Sequence, residues 1–272
     1  MLAPLACTVR GCGRPLTPAD RRLSCAAGHS FDLARAGYIS LLQPQDRRSP
    51  SPGDTREAVA ARARLLEAGV GREAVETIAA RAPVVGGTLV TADLGCGSGE
   101  LLGALAASRD VCGVGIDLST AAAAAAARRF PSQTWVVANV DRGVPLLDGS
   151  VHLVTSLNGR RNVDECARVL MPGGTLIVAL PAPDDLIELR AKVQGEGVAR
   201  DRADAVVAEH AARFQLTERI TVRTRHRLEG DALRDLLRGT YRGARDSMVE
   251  SVKSLAALDV TVASEVLVMK RV

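Results

Sequence analysis

A glycine-rich turn set between a strand and a helix restricts this chain more than any other feature. Residues Thr88 to Ala92 form a short β-branched and apolar run. Asp93-Leu94-Gly95-Cys96-Gly97-Ser98-Gly99-Glu100 follows, and Leu101, Leu102 and Leu105 then recur at helical spacing. Glycines there let the backbone approach a ligand and leave N–H groups free at the helix start. A second strand, Val111 to Ile116, ends in Asp117, the place where doubly wound folds use an acidic side chain to accept hydrogen bonds from ribose hydroxyls. Further strands are expected at 135–138, 151–156 and 174–179, the last after the turn Met171-Pro172-Gly173-Gly174. Between them, the alanines 121–127, led by Ser119 and Thr120, read as a capped helix. Asn139 closes the strand at 135–138, the third in the chain, at the carboxyl edge of the sheet, where its amide can read an adenine edge.

The glycine spacing also selects the cofactor. A dinucleotide site wants G-x-G-x-x-G, but counting from Gly95 or Gly97 the sixth position is Glu100 or Leu102. The pattern here is G-x-G-x-G after an acidic residue, which suits S-adenosylmethionine, a donor with no pyrophosphate to cradle. Asp93, Gly95, Gly97, Ser98, Gly99, Asp117 and Asn139 are therefore the candidate cofactor-binding residues.

A second constraint lies at the amino terminus. Three of the six cysteines fall within the first 25 residues, as Cys7-x4-Cys12-x12-Cys25, and His29 follows after three more. Two close pairs of soft ligands separated by a loop can close a tetrahedron around structural zinc, with no position left open for catalysis. A segment of this size carries few large apolar side chains, so a metal would supply stability that its core cannot. The remaining cysteines, Cys96, Cys112 and Cys166, are scattered and do not form a disulfide framework.

Composition narrows the class. Thirty-five basic against 31 acidic residues give a net charge of +4 over 272 residues, compatible with an anionic partner but too mild for a polybasic tail. Only Lys192, Lys253 and Lys270 are lysine, and arginine is the better reader of phosphate. The six aromatic residues are too few for a broad base-stacking platform. No stretch of 18 apolar residues and no signal-like leader occurs, so a cytoplasmic protein without a membrane span is expected. Gln43 to Gly53, with Pro44, Pro50 and Pro52, reads as a linker. Arg21, Arg22, Arg35, Arg47 and Arg48 surround Phe31 and Tyr38 as candidate phosphate contacts. Arg219, Arg223, Arg225 and Arg227 recur with a period that puts them on one strand face, with Ile220 and Val222 inward. Flanking the carboxyl edge of the sheet, that row is expected either to hold the phosphates of an anionic partner alongside the zinc module or to be an ordinary solvent-facing strand.

These residues carry a family resemblance. The zinc module leads into His29-x-Phe31-Asp32-Leu33-Ala34-x-x-Gly37-Tyr38-x-x-Leu41-Leu42, then Gly53-Asp54-Thr55, Ala61-Arg62, Leu66-x-Ala68-Gly69 and Asp93-Leu94-Gly95-Cys96-Gly97. The whole resembles the bacterial 23S rRNA guanine-N1 methyltransferases, of which one branch confers macrolide resistance. The resemblance covers residues 7 to about 190 well. It implies an α/β chain with a small N-terminal zinc-binding, RNA-recognition module (1–42), a linker and helix (43–83), and a doubly wound, Rossmann-like class I methyltransferase domain (84–272). It further implies zinc on Cys7, Cys12, Cys25 and His29, S-adenosylmethionine as donor, ribosomal RNA as partner, guanine N1 in a hairpin loop near the peptide exit tunnel as target, and a homodimer.

The chain also departs from the family pattern. Cys7-x4-Cys12 stands where Cys-x2-Cys is usual, Val70-Gly71 where His-Tyr is usual, and Asp185 where a His opens the run Leu186-Ile187-Glu188-Leu189. Asn158-Gly159-Arg160-Arg161-Asn162 replaces an Ala-Pro segment after the fourth strand. Asn158 is the candidate position for the target base, with Asp185 as an ionisable neighbour. Two other readings are a small-molecule methyltransferase, for which a basic zinc module has no obvious use, and a non-catalytic RNA-binding protein with a degraded pocket. Cofactor affinity separates the last from both enzymes.

Overall fold

The computed structural model describes residues 3–46, 53–194, 201–240 and 256–272; Arg47, Arg48 and Tyr241 lie outside them. Strands β1 (Thr17–Ala19), β2 (Arg22–Ser24) and β3 (Ser30–Asp32) make a small antiparallel sheet around the cysteine cluster. Next come β4 (Tyr38–Ser40), α1 (Arg56–Glu67) and α2 (Arg72–Arg81). The α/β succession follows: β5 (Leu89–Leu94), α3 (Glu100–Ser108), β6 (Val111–Asp117), α4 (Thr120–Arg129), β7 (Thr134–Val137), β8 (Val151–Leu157), α5 (Val163–Val169) and β9 (Leu170–Pro181). The chain ends with α6 (Ile187–Gln194), α7 (Ala203–His210), β10 (Phe214–Glu229), α8 (Gly230–Thr240) and β11 (Ala257–Arg271).

Eight strands form one sheet in the order β10-β11-β9-β8-β5-β6-β7-β4. Strands β4 to β9 are parallel, while β11 runs antiparallel to both β9 and β10. From β5 the chain winds outward to β6 and β7, then returns to β8 on the other side. The carboxyl end of β5 is therefore the switch point, where open α/β sheets bind ligands. All six residues of β5 are buried, as a central parallel strand covered on both faces requires.

Strand alternation divides the core. Val90, Ala92, Leu94, Ile116, Val136, Val154 and Val178 face one layer, and the zinc module's Leu5, Cys7, Leu16 and Cys25 pack into it. Leu89, Leu153 and Ile177 face the other, under Ile78 of α2, Leu102 and Leu105 of α3, and Trp135. Tyr38–Ser40 pairs with β7, so the chain just past the metal cluster is a strand of the large sheet. Helix starts follow local chemistry: Thr55 Oγ1 accepts from the Ala58 N–H, and Ser119 Oγ, at the expected cap of α4, from the Ala122 N–H.

The arginines of β10 share an exposed face, with Ile220 and Val222 half-buried. Their place is not the expected one. Strand β10 is the edge opposite β4, so the row does not stand alongside the zinc module. The expectation failed because face periodicity is local, whereas strand order is set by which edges remain free to pair. Most of the row is also neutralised: Arg219 pairs with Asp201, Asp204 and Glu265, Arg223 with Asp184, and Arg227 with Glu229 and Asp259.

Candidate functional site

The four amino-terminal ligand atoms lie within 4.8 Å of one another. Cys12 Sγ is 3.8 Å from Cys25 Sγ, and His29 Nδ1 is 3.4 Å from Cys7 Sγ and 3.5 Å from Cys25 Sγ. Zn–S bonds of about 2.3 Å and Zn–N bonds of about 2.05 Å at tetrahedral angles require edges of about 3.8 Å for S···S and about 3.6 Å for N···S. Three of the six edges lie close to those values, and the cysteines form no disulfide, so the donor set fits a closed zinc site. The extra residues between Cys7 and Cys12 are taken up by a turn in which Cys12 N–H donates to Val9 O and Gly13 N–H to Cys7 O. Burial pushes the Cys7 thiol up to about 11, so metal binding there must displace a proton.

At the switch point, Gly95, Gly97 and Gly99 all have positive φ. A Cβ on Gly97 would meet nothing within 4 Å, so the backbone there borders open space, while a Cβ on Gly99 would strike Trp135 at 2.5 Å. One glycine clears room for a ligand; the other lets the helix start sit down on the sheet. The carboxylate of Asp117 accepts from Gly97 N–H at 3.0 Å and from Ser119 N–H at 2.7 Å. Burial raises its pKa and these two donors oppose the rise. A carboxylate has further lone pairs, so Asp117 is fixed in place with capacity left for ribose hydroxyls. This open glycine turn beside an oriented acid fits S-adenosylmethionine.

Other expected residues are placed as follows. Asp93 is fully buried, and burial pushes it up to about 7 although Thr155 Oγ1 donates to it at 2.8 Å. Ser98 is buried and gives its hydroxyl to Glu100 at 2.7 Å. Glu100 in turn meets Arg129, which reaches Glu67 of α1. Asn139 donates to Asp46 O at 3.0 Å and accepts from Asp141 N–H at 3.1 Å, tying the turn Pro44–Asp46 to the sheet edge. It borders a cleft of about 610 Å³ between the zinc module and the sheet, lined also by Thr8, Arg10, Leu41 and Arg142. Asn158 is exposed at the end of β8 with φ 54°, and Gly159 beside it touches the glycine turn. Sequence reasoning missed Thr155, the Glu100–Arg129–Glu67 chain and His210, because isolated polar residues carry no spacing signal.

Comparison with known proteins agrees with both halves. The family model described as "RlmA, N-terminal" matches residues 6–50, and the one described as "Methyltransferase domain" matches residues 92–174. The chain is 38% identical over 229 residues to the 23S rRNA (guanine(748)-N(1))-methyltransferase of Streptomyces fradiae, covering 82% of this chain and 80% of that one. A Micromonospora griseorubida protein, named as a candidate 23S rRNA (guanine-N(1)-)-methyltransferase, is 39% identical over 210 residues, 70% of this chain and 69% of its own. Among solved structures, the cyclase SpnF superposes with a TM-score of 0.52 at 17% identity, over 73% of this chain and 79% of that one. That likeness shows the fold alone. Extended identity to the Streptomyces enzyme, together with the ribbon and the methyltransferase domain in one chain, shows that this protein belongs to the 23S rRNA (guanine-N1)-methyltransferase family.

Proposed function

We propose that this chain methylates N1 of a guanine in 23S rRNA, in a hairpin loop near the peptide exit tunnel, using S-adenosylmethionine. The observation that carries the reading is the joining of a compact Cys3His cluster to a methyltransferase switch point, the chain just past the cluster entering the same sheet. Asp117 and the Gly97 backbone would hold the donor's ribose and amino-acid end, with Asp93, Gly95, Ser98 and Gly99 shaping the turn and Asn139 its adenine side. When bound, S-adenosylmethionine supplies an electrophilic methyl on a sulfonium. The protein's part is to hold guanine N1 in line and exclude water. In this reading Asn158, at the tip beyond β8, meets the base. The N1 proton needs an acceptor, and Asp185, beyond β9 on the same edge, is the candidate. Its carboxyl accepts from Ala263 N–H at 2.9 Å, and burial pushes it up to about 6.

The module of residues 1–42 is, in this reading, the RNA anchor, and the active form is a homodimer. Incubating deproteinised 23S rRNA with labelled donor and mapping the product should give N1-methylguanine at one loop. Donor binding without transfer to any rRNA would overturn the reading, and sedimentation checks the dimer.

A further inference from the structure

The turn after β8 has no slack on its inner side. A Cβ on Gly159 would lie 2.4 Å from Leu94 O, and one on Gly95 would lie 3.1 Å from Gly159 Cα. Asn158, just before it, holds a left-handed backbone, a conformation that asparagine adopts more readily than most residues with a side chain. Two consecutive arginines tie the loop to its surroundings. Arg160 Nη1 reaches Asp141 at 2.8 Å, in the loop beyond β7. Arg161 turns the other way and donates from Nε to His210 Nε2 at 3.3 Å.

The second bond is the unusual one. His210 is completely buried at the end of α7, and its Nδ1 lies 2.7 Å from Val206 O. A carbonyl only accepts, so Nδ1 carries the hydrogen, and in the neutral ring Nε2 is left as a lone pair facing Arg161. Arg161 itself is only partly exposed and makes no ion pair with a carboxylate among the described residues. Burial opposes its charge, and the nearby Glu209 carboxylate only partly offsets that. What the pair provides is a directional link from α7 to the loop bearing Asn158.

We infer that His210 is a positioning residue which, through Arg161, holds the 158–162 loop against the glycine turn so that Asn158 meets the target base; this rests on the functional reading above. A proton added to Nε2 turns the acceptor into a donor facing the guanidinium, and the link is lost. The groups facing His210 are Arg161 from the loop, Glu209 from its own helix, 3.8 Å from Nδ1, and the Phe214 ring, with the Cys166 thiol of α5 beyond Arg161. Burial, and to a lesser extent Arg161, hold the imidazole below its ordinary pKa, against the Val206 carbonyl and Glu209. The link is therefore made at neutral pH and released in acid.

The test compares wild type, His210→Leu and His210→Gln as full, zinc-loaded chains. A glutamine can both donate to Val206 O and accept from Arg161. In His210→Leu, hydrogen exchange over 157–163 should rise roughly tenfold and KM for rRNA should rise by a similar factor, with S-adenosylmethionine affinity unchanged. His210→Gln should restore both. In wild type the protection of residues 157–163 should fall as acid protonates His210, a fall that His210→Gln lacks. Unchanged loop exchange in His210→Leu, or the same acid loss of loop protection in His210→Gln, overturns the inference. If the leucine variant does not fold, the two pH profiles decide alone. Exchange is read without RNA, so a wild type inactive on rRNA sinks the functional reading and leaves the loop measurement to judge the link.

Discussion

The two ends of the large sheet are built on opposite principles. At one end β4 has three residues, and the chain before it is held by four metal ligands and a few apolar side chains. At the other, β10 and β11 have 16 and 15 residues, and three of the four outward arginines, Arg219, Arg223 and Arg227, are matched by carboxylates. Charge on that long exposed edge discourages a further strand from adding to it. By contrast Arg10, Arg14, Arg21, Arg22 and Arg35 make no ion pair among the described residues. The difference teaches that a count of arginines says little about anion binding. Most of those at the far edge are already committed to intramolecular partners, whereas those on the zinc module still carry uncompensated charge.

Removing the metal should give the largest effect and separate the ends most sharply. Chelation or Cys25→Ser should free the amides of residues 5–40 to exchange, since structural zinc contributes on the order of 10 kcal/mol to such modules. Amides of β10 and β11 should remain protected. Simultaneous loss at both ends would mean that they fold as one unit, and the contrast would break.

The donor site lies between the ends and should respond independently of both. Gly97→Val places a branched side chain on a positive-φ turn that borders open space, and Asp117→Ala removes the oriented acid. Each should weaken S-adenosylmethionine binding by about tenfold or more in calorimetry while leaving zinc content unchanged.

The charge contrast is read in the salt dependence of RNA binding. Replacing Arg21, Arg22 and Arg35 by alanine should lower affinity and flatten the log–log slope by about 2, at roughly 0.7–0.9 for each lost phosphate contact. Replacing Arg223, Arg225 and Arg227 should leave the slope nearly unchanged. The reverse order would show that the far-edge ion pairs open on binding.

The smallest effect isolates the buried centre from both edges. The folded pKa of Asp93, about 7, lies above the ordinary aspartate value. Its protonated form therefore favours the fold fully below about pH 4, and that contribution is lost as pH rises through 7. Asp93→Asn should flatten the fall in melting temperature between pH 5 and pH 8 and leave the strand ladder intact. An equal fall in wild type and variant would place the cause elsewhere, with Asp185 the next group to change.

Local patterns in the chain already specified the strand, glycine turn and helix around Asp93 to Leu105, the cap at Ser119 and the metal cluster. In each, residues close in sequence must satisfy one geometry: positive φ, an N-terminal hydrogen bond, or four ligands around an ion. Strand alternation likewise placed the arginines of β10 on one face, because side chains on a strand turn over every second residue. What these patterns left open was every relation that depends on sheet order or on long-range contact. The sheet put β10 opposite β4, joined the segment after the zinc module to β7, closed Gly159 on the glycine turn and brought His210 to Arg161 from 49 positions away. The reason is physical. Periodicity and capping act over one or two turns of chain, while edge pairing, burial of single polar groups and the neutralisation of charge are settled only when distant segments compete for the same surface.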